Sequence, residues 1–337
     1  MEMFKELTQL HGVSGYETQV AAYIRDKLTG KADEIITDPN GSVIAYFKGT
    51  GENKKRIQLA AHTDEIGLQV IKIEEDGRIC FKELGTCFTF TTYQIRVRFR
   101  NGTLGIVSAT VQPDKLSTAG FTRYAPCYID IGLNSKKEVM ELVDVGDVAV
   151  FEGPYEELAG PYVTAKSIDD RVGCYMLLKA MENINWKPKN DIYLAFTVQE
   201  EVGTRGGQVT AQRILPDIGV AVDVTPSADR PGDLPGNNTL GNGVAIKISD
   251  THSISDEGLV NKSIELCKAN DIPYQKDVIC VGGTDAGAIT LVGGGIKTVG
   301  FSVVTRYTHG PHAIVNTDDI QATVKLLEAF MNADFEL

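Results

Sequence analysis

Lys166-Ser167-Ile168-Asp169-Asp170-Arg171-Val172-Gly173 opens a stretch that closes with Thr197-Val198-Gln199-Glu200-Glu201-Val202-Gly203, and its reading decides the fold. A pair of adjacent acids stands at each end. Between them, Val172, Met176, Leu177, Ala180, Met181 and Ile184 fall on one helical face, with Asp169 or Asp170 as its N-cap. Asp191 to Val198 is then a near-continuous apolar strand, the pattern of a sheet buried on both faces. One helix and one strand thus separate the acid pairs, and the spacing predicts that four carboxylates meet in a small space. Like charges that close raise one another's pKa, and burial adds to the effect, so the cluster calls for a cation. Either pair alone reads equally well as a helix cap or as solvated loop acids.

The rest of the chain supplies the context. Ile57-Gln58-Leu59-Ala60-Ala61 is a short buried strand running into His62-Thr63-Asp64, and Ile218 to Val222 is another running into Asp223. Ile296 to Val303 is a third, followed by the loop that holds His309. Four strands therefore end in His62, Glu200 with Glu201, Asp223 and, one loop later, His309. Ligands of open α/β sheets bind outside the carboxyl ends of the strands, so position alone gathers these residues into one candidate site. Residues 68–160 differ in texture, with short alternating strands and Gly, Asn and Pro turns. They predict an all-β unit inserted into a discontinuous α/β domain made of residues 1–67 and 161–337. The expected fold is α/β, with a mixed, mostly parallel sheet and helices on both faces. An Asn40-Gly41 hairpin and helices near 4–28, 254–270 and 317–331 complete it.

With 337 residues, 42% hydrophobic and 23% charged, the chain has ample material for a core. Its 45 acidic and 33 basic residues give a formal charge of −12, which argues against nucleic acid or an anionic membrane as partner. No signal-peptide pattern and no run of 18 apolar residues occurs, and six scattered cysteines without a CxxC pair suit a reduced compartment. The expectation is a soluble, cytoplasmic protein.

Two histidines with several Asp and Glu form an oxygen and nitrogen donor set suited to Zn²⁺, Co²⁺ or Mn²⁺. Five candidate ligands exceed the three protein ligands of a single catalytic zinc, which points to two ions. Asp64, two residues after His62 on an extended strand, can accept its second imidazole N–H. Carboxylate pairs without metal also serve glycoside hydrolysis, in which the histidines would be idle.

The motifs Ala61-His62-Thr63-Asp64-Glu65-Ile66-Gly67, Ile168-Asp169-Asp170-Arg171-Val172-Gly173, Gln199-Glu200-Glu201-Val202-Gly203, Val222-Asp223-Val224 and Gly282-Gly283-Thr284-Asp285-Ala286 share their order with one family. In this the chain resembles the tetrahedral (TET-type) dinuclear metalloaminopeptidases, which include glutamyl and leucyl aminopeptidases. His11-Gly12-Val13-Ser14-Gly15-Tyr16-Glu17 resembles that family's opening segment, and the likeness spans nearly the whole chain. It implies that Asp169 bridges two metals, with a cis peptide to Asp170, the residue that starts the helix beside it. It further implies that His62 and Asp223 complete one site, that Glu201 and His309 complete the other, and that Glu200 is the general base. Short peptides would be trimmed from a free N-terminus, and the inserted β unit would join dimers into a tetrahedral dodecamer. The stretch Tyr307-Thr308-His309-Gly310-Pro311-His312 departs from relatives that carry Ser after the ligand His and lack the second His; His309 is the choice by position. Deacylation or carboxypeptidase-like cleavage at the same metals is the alternative. The preferred N-terminal side chain and the native metal are not legible.

Overall fold

The computed structural model describes residues 1–87, 89–111 and 126–336. The Asn40-Gly41 turn joins β1 (Glu34–Thr37) to β2 (Val43–Phe47) as an antiparallel hairpin, with Gly41 at a φ of 108° that favours glycine. β3 (Arg56–His62) follows. The next six strands, β4 (Gly67–Ile73), β5 (Ile79–Leu84), β6 (Arg96–Phe99), β7 (Leu104–Ala109), β8 (Cys127–Asp130) and β9 (Val148–Phe151), close into a barrel in the order β4-β5-β8-β7-β6-β9. Leu68, Val70, Ile79, Val97, Val107, Ile129 and Phe151 fill it. Alternation in short strands explains the two-faced pattern of the sequence, and closure leaves no open edge.

The chain then returns to the large sheet through β10 (Glu156–Glu157), β11 (Tyr162–Ala165), β12 (Asp191–Thr197), β13 (Ile218–Pro226), β14 (Val244–Ser249), β15 (Tyr274–Val278), β16 (Lys297–Arg306) and β17 (Ala313–Asn316). Its order is β1-β2-β12-β3-β13-β16-β17-β11-β10, with β14 and β15 attached beside β16. Parallel pairing is concentrated in the centre, β12-β3-β13-β16, and antiparallel strands flank it. The centre is buried on both sides, as the continuous apolar runs require. Ile57, Leu59 and Ala61 of β3 pack with Met176, Val172 and Leu327 on one face, while Ala60 and Ala195 meet Ala211, Ile214 and Ile289 on the other. No described helix is long and apolar enough to cross a membrane.

β13 does not stop at Asp223, where the sequence suggested its end; it runs on to Pro226 because Asp223, Val224, Thr225 and Pro226 keep pairing with Ser302 to Thr305 of β16. β3 parts from β13 after Ala60 and Ala221 and, paired only with β12 from there, ends at His62. The staggered ends leave Asp223 beside the end of β3, which is what brings it to His62.

A buried ion cluster locks the N-terminal helix, Glu2–Gln9, to this edge. Arg171 is fully buried, and its Nη1 donates to Leu7 O at 2.7 Å, its Nε to Thr63 O at 2.9 Å. Glu65 lies 3.3 Å from Arg171 Nη2 and 2.8 Å from Lys166 Nζ. Removing one member of such a cluster strands the others without water. Arg171→Leu is expected to lower stability by about 3–5 kcal/mol, read as an earlier urea midpoint together with faster proteolysis of the first helix; an unchanged midpoint would show that the cluster does not hold this edge.

Candidate metal centre

The strand ends place six of the expected side chains within a few ångströms. The Asp169–Asp170 peptide is cis, and the regular helix begins only after Asp170, whose neighbour Asp169 also has non-helical dihedrals. His62 Nε2 lies 2.9 Å from Asp169 Oδ1 and 3.9 Å from Asp223 Oδ1. His309 Nε2 lies 3.4 Å from Asp169 Oδ2 and 3.4 Å from Glu201 Oε2. Donor atoms of His62, Asp169 and Asp223 fall within 4.8 Å of one another, as do those of Asp169, Glu201 and His309. Asp169 belongs to both groups, one oxygen toward each. Each histidine turns Nδ1 to a main-chain carbonyl, His62 to Asp64 O at 3.1 Å and His309 to Thr86 O at 2.9 Å. With the proton held at Nδ1, Nε2 is left as a lone-pair donor, as a metal ligand requires.

The electrostatics show why a cation fits. Burial, followed by the charge of His62 opposing it and that of Asp169 adding to it, raises Asp223 to about 8. Burial and Asp169 raise Glu201 to about 7 despite His309. Burial opposes ionisation of Asp169, yet hydrogen bonds from His309 and His62 hold it below the usual carboxylate range. His309 is raised to about 10: burial works against its charge, but Glu201 and Asp169 outweigh it. Protons therefore hold the cluster together at positions a divalent ion would take over. The donors are nitrogen and oxygen only, which suits Zn²⁺, Co²⁺ or Mn²⁺.

Glu200 belongs to neither group and lines the pocket beside them, together with His62, Asp169, Asp223 and His309. Burial raises its pKa well above the usual value, with Asp223, Asp285 and Glu201 adding to the effect and His62 opposing it. Asp64 sits below both acids. Its Oδ1 accepts Glu200 N at 2.9 Å, its Oδ2 accepts Glu201 N at 3.1 Å, and Oδ1 lies 3.4 Å from His62 Nδ1. Asp170 turns away from the ligand groups: its Oδ2 accepts His62 N at 3.2 Å and its Oδ1 accepts Gly173 N at 3.0 Å, the bond of a helix cap. His312 is exposed and lies outside both groups. Thr284 caps the short helix that begins at Asp285, and Asp285 accepts Thr197 Oγ1 at 2.6 Å in a buried position.

Sequence reasoning passed over several supports. Ser14 Oγ donates to Asp64 Oδ2 at 2.6 Å, and Glu17 accepts Gly15 N at 2.7 Å and Gln199 N at 3.1 Å. Burial and the charge of Asp64 raise Glu17 to about 7. The Gly12 to Glu17 segment was visible as a motif, but nothing in it announces a contact to residue 64. Ser167, Gln199 and His309 adopt φ values of 46°, 56° and 59°. Such left-handed non-glycine residues cost on the order of 1–3 kcal/mol each and cluster at functional sites.

A model described as M42 glutamyl aminopeptidase matches residues 41–326. The chain is similar to a putative aminopeptidase of Acetivibrio thermocellus, 39% identical over 97% of this chain and 96% of that one. Among solved structures it is similar to an aminopeptidase from the archaeon Desulfurococcus kamchatkensis, at TM-score 0.92 and 35% identity, covering 99% of this chain and 94% of that one. The Pyrococcus horikoshii TET1 peptidase, which can assemble into a tetrahedron or a large octahedral shell, superposes at TM-score 0.86 with 31% identity over 98% of each chain. With a family model spanning most of the sequence and relatives matched end to end, this chain belongs to the M42 glutamyl aminopeptidase family.

Proposed function

We propose that this aminopeptidase cleaves the N-terminal residue from short peptides with two divalent ions, one held by His62, Asp169 and Asp223 and the other by Asp169, Glu201 and His309. The observation that carries the reading is the pair of ligand groups sharing Asp169, with Glu200 beside them but in neither. When bound, the ions supply Lewis-acid polarisation of the scissile carbonyl and acidify water. Glu200 accepts the proton of the attacking water and returns it to the leaving amine, a task that suits a carboxyl lining the pocket beside both ligand groups without belonging to either. Asp64 fixes the main chain of Glu200 and Glu201, so that base and ligand keep their separation. Asp170 fixes the main chain of His62.

Residues 68–160 are proposed to be the inserted dimerisation domain, between the two segments 1–67 and 161–337 of the catalytic domain. Leu104, Ile106, Met140 and Leu142 leave apolar surface on its outside, which supports association of copies. A tetrahedral dodecamer is the assembly we infer, and mass photometry reporting only monomer at all concentrations would exclude it. Unpaired cysteines throughout the described chain support a cytoplasmic setting.

Glu200→Gln is expected to keep both metals by elemental analysis and to lower turnover of an amino-acid p-nitroanilide by about 10²-fold or more. Asp169→Asn is expected to lose metal as well as turnover. An intact rate in Glu200→Gln would remove the base assignment, and faster hydrolysis of an N-acetylated substrate than of its free form would favour deacylation instead. Exhaustive chelation is expected to abolish activity, with Zn²⁺, Co²⁺ or Mn²⁺ restoring it; activity that survives chelation would favour carboxylate chemistry without metal.

Proton linkage gives an independent readout. In the metal-free protein Glu201, Asp223 and His309 have folded-state values raised to about 7, 8 and 10. A raised value favours folding at low pH and loses that contribution as pH rises through it. The metal-free protein is therefore expected to lose stability from about pH 4, where the two carboxyls ionise in the unfolded chain, up to about pH 10, the folded value of His309, and metal to restore it most at the alkaline end. Calorimetry in buffers of different ionisation enthalpy should show protons released on metal binding; no release at neutral pH would contradict the ligand set.

A further inference from the structure

Beside the proposed metal centre lies a pocket of about 300 Å³ whose lining mixes ionisable and apolar side chains. Its lining carries His62, Asp169, Glu200, Asp223 and His309 together with the apolar side chains of Val224, Pro226, Leu234, Ile279 and Val281. Lys247 is the one lysine or arginine among the lining residues, and it is 1% exposed. Its Nζ lies 2.5 Å from Asp277 Oδ2 and donates to Thr225 Oγ1 at 3.2 Å. Asp277 is itself fully buried and accepts Asn238 Nδ2 at 2.7 Å. The cation thus has its counter-ion within the protein.

We propose that this pocket receives the side chain of the peptide's N-terminal residue and selects an uncharged, apolar one of leucine or methionine type, with Asp277 setting that preference by cancelling Lys247. The inference rests on the aminopeptidase reading and deepens it. A peptide whose first carbonyl sits at the ligand groups has this pocket as the adjoining space for its side chain. An apolar side chain gains from the wall formed by Leu234, Ile279 and Val281. A glutamate would bring an ionised carboxylate into contact with that wall with no unpaired cation to meet it, and a lysine would place its ammonium near another lysine; both burials are unfavourable. Were Asp277 uncharged, Lys247 would lack its counter-ion and an acidic substrate would supply one.

The test is kcat/KM for leucyl, methionyl, glutamyl and lysyl p-nitroanilides on the metal-loaded enzyme. Leucyl or methionyl substrates are expected to exceed both charged ones by at least about 10-fold. Asp277→Asn is expected to raise the glutamyl-to-leucyl ratio by about 10-fold, and a ratio measured within one preparation is insensitive to how much of it is folded. Should Asp277→Asn fail to fold, Val281→Lys introduces a cation at a partly exposed wall position without touching the buried network, and the same ratio should rise. A wild-type enzyme that prefers glutamyl or lysyl substrate overturns the inference while leaving the aminopeptidase reading intact. So does a ratio unmoved in whichever variants fold. Absence of turnover on every member of the panel overturns both.

Discussion

The carboxylate of Asp64 is the buried charge on which the site depends. Taking an ion out of water costs on the order of several kcal/mol unless donors replace its hydration, and here they come from three separate parts of the chain. Ser14 supplies a hydroxyl from the N-terminal loop, His62 lies close from the end of β3, and Glu200 and Glu201 supply main-chain amides from the loop after β12. Burial opposes ionisation of Asp64, but His62, Ser14 and the Glu200 amide hold its pKa below the ordinary value. One anion thus pins three segments. Because it grips the main chain of two adjacent glutamates, their side chains are free to diverge, Glu201 toward His309 and Glu200 into the pocket.

The barrel is part of this arrangement as well as a neighbour of it. Thr86, on the connection that leaves β5, offers the carbonyl that takes the Nδ1 proton of His309. At Gly85, with φ of 78°, a Cβ would stand 3.0 Å from Glu201 Oε2, so only glycine lets that turn pass so near the ligand. One ligand group is therefore oriented in part by the barrel, whereas His62 of the other is held by Asp64 and by Asp170 at the start of the helix.

Much of this was legible in the sequence because strand ends obey a positional rule. Apolar runs that stop at His62 or just before Glu200 mark where a buried sheet meets solvent, and period-two alternation from residue 68 marked a β unit of different character. The sequence was less informative where pairing, and not composition, decides the outcome. Asp223 lies inside β13 because β16 continues to pair with it, and no local feature of Val222-Asp223-Val224 signals that. Arg171, Lys166 and Glu65 read as surface charges one by one; their burial exists only because three elements converge on Glu65. The left-handed residues Ser167, Gln199 and His309 were equally opaque, since none is glycine or asparagine.

The site keeps two kinds of charge apart. At the ligand groups, carboxylates outnumber histidines and their raised values record a deficit of positive charge that divalent ions would fill. In the lining of the same pocket, Lys247 is matched by Asp277 and both are sealed from water. If Lys247 were unmatched, it would be a second cation near the ligand groups and would compete for the same carboxylates, Asp223 above all, which shares strand β13 with Thr225, the hydroxyl that Lys247 holds. Pairing Lys247 with an acid from β15 removes that competition and leaves Asp223 directed at His62. The neutral, apolar side of the pocket and the metal-ready side are then two consequences of one allocation of charge, and a change at Asp277 should be felt on both.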